Sequence, residues 1–155
     1  MSFSRISGAG ERLAVASKRL VLDANILIRA VLGARVRSLI EVYCERVAFF
    51  VAEAGFEEAE NYLAEIAAAR GIAEAIWRET LARVMDAVQT IAPDALEHSA
   101  VEARARIRAR DPEDWPTLAA ALLLECPIWT EDQDFFGSGV ATWTTATVER
   151  FLREP

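Results

Sequence analysis

The sequence predicts a three-layer α/β/α fold around a central, mainly parallel sheet of four to five strands. Three observations carry this expectation. Short, continuous apolar runs, Arg19–Asp23 and Val47–Ala52, have the length and the Val, Leu and Phe content of strands buried on both faces. Longer segments with helical spacing lie between such runs; Phe56, Ala59, Leu63, Ile66 and Ala67 form one apolar stripe near the period of an α-helix. Strand and helix then alternate along the chain, the pattern of a parallel sheet with helices on both faces.

The elements follow in order. Arg19–Asp23 is the first strand and ends in a carboxylate. Asp23–Leu32 turns directly into a helix that Gly33 closes. Arg37 to about Arg46 reads as a second helix, and Val47–Ala52 as the second strand. Gly55–Ala69 is a helix ending at Arg70 and Gly71. Ala73–Ala87 is another, with Ile76, Leu81, Val84 and Met85 as its apolar face. Val88–Ala92 is a strand stopped by Pro93, and Leu96–Arg110 is an Arg-rich helix. An acidic, Pro-marked turn from Asp111 to Pro116 opens a strongly apolar helix, which leads into a strand over Pro127–Thr130. Ala141–Thr145 has the β propensity of a last edge strand, and Thr145 or Thr147 can cap a final helix to about Arg153.

A chain of 155 residues, 53% hydrophobic and 26% charged, suits one domain and can bury roughly 70% of its unfolded surface. Residues 18–155 are therefore read as a single domain. Residues 1–17 lack periodicity, carry Ser, Gly and Arg, and are expected to form a flexible N-terminal arm. The net charge is −7, and Lys18 is the only lysine. Holding nucleic acid by bulk charge needs a basic surface, so such a role here requires a local basic patch or a cation that reverses the sign of an acidic site. Cys44 and Cys126 lack metal-ligand spacing and read as buried thiols of a reducing compartment. The first residues do not have the form of a signal peptide. The uncharged run Trp115–Leu124 is too short to span a bilayer, so a cytoplasmic location without membrane partners is expected.

The carboxylates fall in a pattern. Ligands of open α/β sheets bind beyond the carboxyl ends of the strands. Asp23 stands at such an end, Asp132 and Asp134 follow the strand ending at Thr130, and Glu57, Glu58 and Glu60 open the helix after the second strand. Asp111 and Asp114 precede the helix that leads to that later strand. Each group has a structural reading of its own. Asp111 or Asp114 can cap a helix with Pro112 or Pro116 in its first turn, and the three glutamates can be a solvated helix start favoured by the helix dipole. Together they weigh more: two like charges about 4 Å apart repel by roughly 4 kcal/mol at an effective dielectric near 20. Gathering several requires a cation or protonation, and an all-oxygen donor set suits Mg²⁺ or Mn²⁺.

Rival chemistries lack their residues. There is no phosphate-cradling GxxxxGK[ST] loop. An aspartyl phosphotransfer site usually has a second Asp two residues on or a downstream lysine; position 25 is Asn, and no lysine follows Lys18. His98 is the sole histidine, no GxSxG accompanies it, and beside Ser99 at a helix start it reads as structural. Gly137-Ser-Gly139 is too short for a dinucleotide loop and reads as a turn.

The motifs Val21-Leu-Asp-Ala-Asn-Ile-Leu27, Glu58-x-x-Asn61-x-Leu63, Asp114-Trp-Pro-Thr-Leu-Ala-Ala-Ala-Leu122 and Trp129-Thr-Glu-Asp-Gln-Asp-Phe135 together resemble a PIN domain, the nuclease fold of many bacterial and archaeal toxins. They span residues 19 to 136 in the family's order. The resemblance, closest to the VapC-like toxin type, implies a Mg²⁺- or Mn²⁺-dependent endoribonuclease that hydrolyses single-stranded RNA with one or two ions. It implies catalytic and metal-binding roles for Asp23, Glu58, Asp114 and Asp132. Asn25 and Thr130 would be polar helpers that fix carboxylate geometry, with Asp134 and Asp111 in the surrounding shell. It further implies an RNA substrate, a small antitoxin protein that covers the pocket, and a homodimer. Glu57 and Glu60 compete with Glu58; Asn61 and Leu63 fall in register with Glu58. For RNA contact the helix before Asp111 offers Arg104, Arg106, Arg108 and Arg110. At helical spacing 104 pairs with 108 and 106 with 110, so only one pair can face the pocket squarely. The same arginines also read as a solvated face with Glu102. Trp115 and Trp129 flank the site and read as base-stacking residues or as core. A catalytically silent binding module on the same fold is the alternative function.

Overall fold

Leu20, Val21 and Leu22 are fully buried, and this run sits in the middle of the sheet as β1 (Lys18–Leu22). The computed structural model describes residues 18–155; the arm expected over residues 1–17 lies outside the described residues. From β1 the chain passes through α1 (Ala24–Leu32), α2 (Ala34–Tyr43), β2 (Val47–Ala52), α3 (Glu53–Arg70), α4 (Glu74–Met85) and β3 (Val88–Ile91). After a short 3₁₀ turn it continues as α5 (Glu97–Ile107), a second such turn (Pro112–Asp114), α6 (Trp115–Leu124), β4 (Ile128–Trp129), β5 (Thr142–Trp143) and α7 (Val148–Arg153).

The sheet has five strands in the order β3-β2-β1-β4-β5, and every pairing is parallel. Register places Leu20 beside Phe49, Val21 beside Phe50 and Ile128, and Leu22 beside Trp129. Side chains alternate across a strand, so the sheet has two distinct cores. Leu20, Leu22, Phe49, Val51 and Trp129 pack with α1, α2, α3, α4 and α7 on one face. Val21, Ala48, Phe50 and Ile128 pack with α5 and α6 on the other. The two faces explain why these strands read as unbroken apolar runs. The chain builds outward from β1 to β3 on one side and returns to add β4 and β5 on the other. A topological switch point therefore lies between β1 and β4, where open α/β sheets place their ligand crevice.

Three sequence expectations differ in detail. The second helix begins at Ala34, because Gly33 ends α1 and starts α2 with no spacer; it stops at Tyr43. In α4 Trp77 takes the inward position expected of Ile76: Trp77, Leu81, Val84 and Met85 share one face, and Ile76 is 61% exposed. Cys44 and Cys126 are only half-buried. Among the described residues, no helix is long and apolar enough to cross a membrane.

Candidate metal centre

Asp23 leaves β1 and opens α1, and its two carboxylate oxygens have different tasks. Oδ1 accepts the Ala24 amide at 2.8 Å and caps the helix. Oδ2 accepts from the Thr130 hydroxyl at 2.7 Å and the Asn25 side-chain amide at 2.9 Å. Thr130 follows β4 and is itself buried. Its oxygen accepts the Asp132 amide at 2.9 Å, and Asn25 Oδ1 accepts the Glu131 amide at 3.3 Å. Asp132 Oδ1 accepts the Asp134 amide at 2.9 Å, which folds the chain into a tight polar turn. A continuous hydrogen-bond chain thus ties the end of β1 to the end of β4 across the switch point.

The other acidic residues arrive from α5–α6 and α3. Asp111 Oδ1 accepts the Glu113 amide at 3.1 Å and caps the turn that delivers Asp114 to the start of α6. Oxygens of Asp111, Asp114 and Asp134 all lie within 4.8 Å of one another. Asp111 and Asp134 thus stand beside Asp114. Asp114 Oδ2 is buried with no hydrogen-bond partner among the described residues. Glu58 is exposed on α3 and faces the same basin: burial of its carboxyl, then the charges of Asp23, Asp111, Asp132 and Glu113, push its pKa up.

Burial and crowding raise the proton affinity of Asp23, Glu58, Asp114 and Asp134. Burial lifts the Asp23 carboxyl above its usual range against the pull of its hydrogen bonds, and Asp132 adds to the rise. Burial, then Asp23, Asp111 and Asp132, push Asp114 up to about 8. The charge of Asp132 raises half-buried Asp134. These groups need either protons or a cation. Converging hard oxygen donors, one of them buried and unpartnered, fit a divalent cation of the Mg²⁺ or Mn²⁺ class.

The competing glutamates separate. Glu60 points to the far side of α3 and pairs with Arg78 at 3.3 Å. Glu57 and Glu60 line a cavity with Phe56, Leu81 and Met85 against α4. For Glu58, burial and then the charges of Asp23, Asp111 and Asp132 raise the proton affinity. Glu113 belongs to the acidic surroundings and was missed from sequence, where it reads as part of a capping turn.

The helix expected to run to Arg110 ends at Ile107, and the arginines of α5 and of the turn after it are mostly committed to their own chain. Arg104 lies over the Trp115 ring at 4.1 Å. Arg106 donates to the Ser138 carbonyl at 3.0 Å and pairs with Glu102. Arg110 reaches the Asp134 carbonyl at 3.3 Å and the Gln133 carbonyl at 3.5 Å. The pair 106 and 110 therefore faces the acidic loop and clamps its backbone. Gly137 and Gly139 make room for the clamp: a Cβ would stand 2.8 Å from Arg110 Nη2 and 2.7 Å from Arg106 Nη1 respectively, and both glycines have positive φ. Arg108 is exposed and makes no ion pair among the described residues. Trp129 is core, with its indole N–H donated to Thr145 Oγ1 at 3.2 Å; Trp115 is half-buried, and His98 is exposed on α5.

Comparison with known proteins places this geometry. A family model described as the PIN domain matches residues 21–153. No curated protein matches the chain. Among solved structures it is similar to VapBC2 of Rickettsia felis, bound to a DNA fragment from its promoter, at 10% identity and a TM-score of 0.64, covering 81% of this chain and 98% of that one. It is similar to a toxin–antitoxin complex of Klebsiella pneumoniae at 17% identity and 0.60, covering 81% and 97%. A Pyrobaculum aerophilum protein matches at 20% identity and 0.63, covering 89% and 92%. At these identities the likeness is one of fold.

Proposed function

The chain belongs to the PIN domain family, and on that premise we propose that it is a Mg²⁺- or Mn²⁺-dependent ribonuclease that hydrolyses phosphodiesters of single-stranded RNA, acting as the toxin of a toxin–antitoxin pair. The observation that carries this reading is the gathering of carboxylates at the switch point: oxygens of Asp111, Asp114 and Asp134 lie within 4.8 Å of one another, Thr130 ties Asp23 to Asp132, and one buried Asp114 oxygen is left without a partner among the described residues. Asp23, Asp114 and Asp132 would hold the cation, with Glu58 at the mouth. When bound, it supplies Lewis acidity and lowers the pKa of water for in-line attack on phosphorus. The chain's own residues do the positioning. Thr130 and Asn25 hold Asp23 Oδ2 in one orientation through two hydrogen bonds. The Asp132–Asp134 turn fixes the direction of Asp132. Asp114, with its high proton affinity, would have to release its proton to serve as a ligand. The toxin role and a small antitoxin partner are supported by the similar folds found in toxin–antitoxin complexes.

The test is cleavage. Purified chain with Mn²⁺ is expected to cut a single-stranded RNA, to be silent in EDTA, and to lose activity in Asp23→Asn and Asp132→Asn. RNA left intact by the native chain with Mn²⁺ would overturn the enzyme reading in favour of a silent binding module.

A further inference from the structure

A catalytic basin lined by carboxylates repels an RNA backbone, so a substrate needs positive charge nearby. The α5 arginines, the obvious sequence candidates, are largely spent: Arg104 covers Trp115, while Arg106 and Arg110 hold the loop that carries Asp134. A different basic feature lies on the opposite face of the sheet. A groove of about 360 Å³ runs between α1, the start of α2 and the end of α3, with Ile28, Leu32 and Val36 as apolar floor and Arg29, Arg35 and Arg70 as rim. Arg35 is paired with Glu149 at 3.0 Å. Arg29 and Arg70 are exposed, and neither guanidinium has a carboxylate partner among the described residues. In a chain of net charge −7, two unpaired arginines beside a third are a local reversal of sign.

One end of the groove, at Thr145, lies beside the loop that carries the acidic centre. The Thr145 amide donates to Glu131 Oε1 at 2.6 Å, next to Thr130 and Asp132. On α1, Arg29 follows Asn25 by about one helical turn, roughly 6 Å of rise. A strand that enters the basin beside Asp23 can therefore continue along α1. Guanidinium groups bind phosphate through paired N–H donors, and the apolar floor suits the faces of unstacked bases.

We propose that this α1–α3 groove is the track for the single-stranded RNA backbone, with Arg29 and Arg70 as phosphate contacts; the proposal rests on the ribonuclease reading above. The groove discriminates by charge and not by sequence, so its contribution to affinity falls with salt.

The test measures binding apart from turnover. In an Asp23→Asn background, anisotropy of a short fluorescein-labelled RNA of mixed sequence is followed between roughly 50 and 200 mM salt. Arg29→Ala with Arg70→Ala is expected to make the log–log salt slope shallower by about 1.4, a loss of roughly 25-fold in affinity at 0.1 M salt. Arg29→Lys with Arg70→Lys keeps the slope, and melting temperatures stay level. In the native background the Ala pair raises KM for cleavage and leaves kcat unchanged. An unchanged slope in the Ala pair, or a loss confined to Arg104→Ala with Arg108→Ala, would overturn the groove, as would a chain that fails to bind this RNA. A native chain that binds RNA through the groove yet cleaves none with Mn²⁺ would overturn the ribonuclease reading and leave the track standing.

Discussion

Thr130 shows what one hydroxyl does here. It donates to Asp23 Oδ2 at 2.7 Å and accepts the Asp132 amide at 2.9 Å, so one atom sets the relative placement of carboxylates from β1 and β4. Loss of a residue that orients a ligand typically costs about 10–100-fold in metal affinity or activity. Thr130→Val, which keeps the shape, is therefore expected to weaken Mn²⁺ dependence by that range in a cleavage titration while the fold persists. Asp114 carries the pH prediction. Its pKa rises from the ordinary 3.8 to about 8, because burial and three neighbouring aspartates oppose its charge. Between those values the folded chain holds a proton that the unfolded chain has released, so stability falls as pH rises through that window. In EDTA the melting temperature should drop from pH 5 towards pH 8, and Asp114→Asn should flatten the fall. A slope unchanged by the substitution would count against the crowded carboxyl as its source. The sequence marks Asp114 as a capping residue or a ligand; of the neighbours that raise its pKa only Asp111 is local, while Asp23 and Asp132 come from the ends of β1 and β4.

At the scale of elements, the loop after β4 depends on α5. Arg106 and Arg110 lie one turn apart and grip the carbonyls of Ser138, Gln133 and Asp134, with Gly137 and Gly139 under the guanidiniums. Gly137→Ala adds a Cβ 2.8 Å from Arg110 Nη2 at φ +81. It is expected to cost about 1–3 kcal/mol and to weaken the response to Mn²⁺, since the displaced loop carries Asp132 and Asp134. Gly71→Ala is the contrast: its φ is +70 but a Cβ there meets nothing within 4 Å, so only the backbone penalty of about 1 kcal/mol remains. Equal losses of Mn²⁺ response in the two variants, measured by thermal shift, would exclude the clamp. The turn itself is readable from its glycines. What presses on it is not, because Arg110 and Gly137 meet only after β4 and α5 pack on the same face.

For the whole molecule, the site is a meeting of four chain regions at the carboxyl ends of the strands of a five-stranded sheet. If a divalent cation binds the folded state alone, at 100 times its dissociation constant it adds roughly 2.7 kcal/mol. Native chain should melt higher with Mg²⁺ or Mn²⁺, and the Asp23→Asn, Asp132→Asn double variant should not. An equal rise in both would place the cation elsewhere. The two cores on either side of the sheet make this assembly rigid: Leu22 and Trp129 pack on one face while Val21 and Ile128 pack on the other, directly beneath Asp23 and Thr130.

By itself the sequence determined the class of the fold and where along the chain its acidic motifs fall. Strands buried on both faces must be continuous apolar runs, and helices that cover them must carry a stripe, so both patterns survive in one dimension. The acidic motifs after β1, around Asp114 and after Trp129 were legible for the same reason: each is local. Tertiary structure alone decided which carboxylates share space. It separated Glu58 from Glu60 by the face of α3 each occupies, and it drew Asp111 and Asp134 up to Asp114. It also turned Arg106 and Arg110 inward as loop clamps while leaving Arg29 and Arg70 open. Charge and hydrogen bonding act over a few ångströms through space, and residues 91 positions apart in the chain, such as Asp23 and Asp114, acquire their proton affinity only once folding sets that distance.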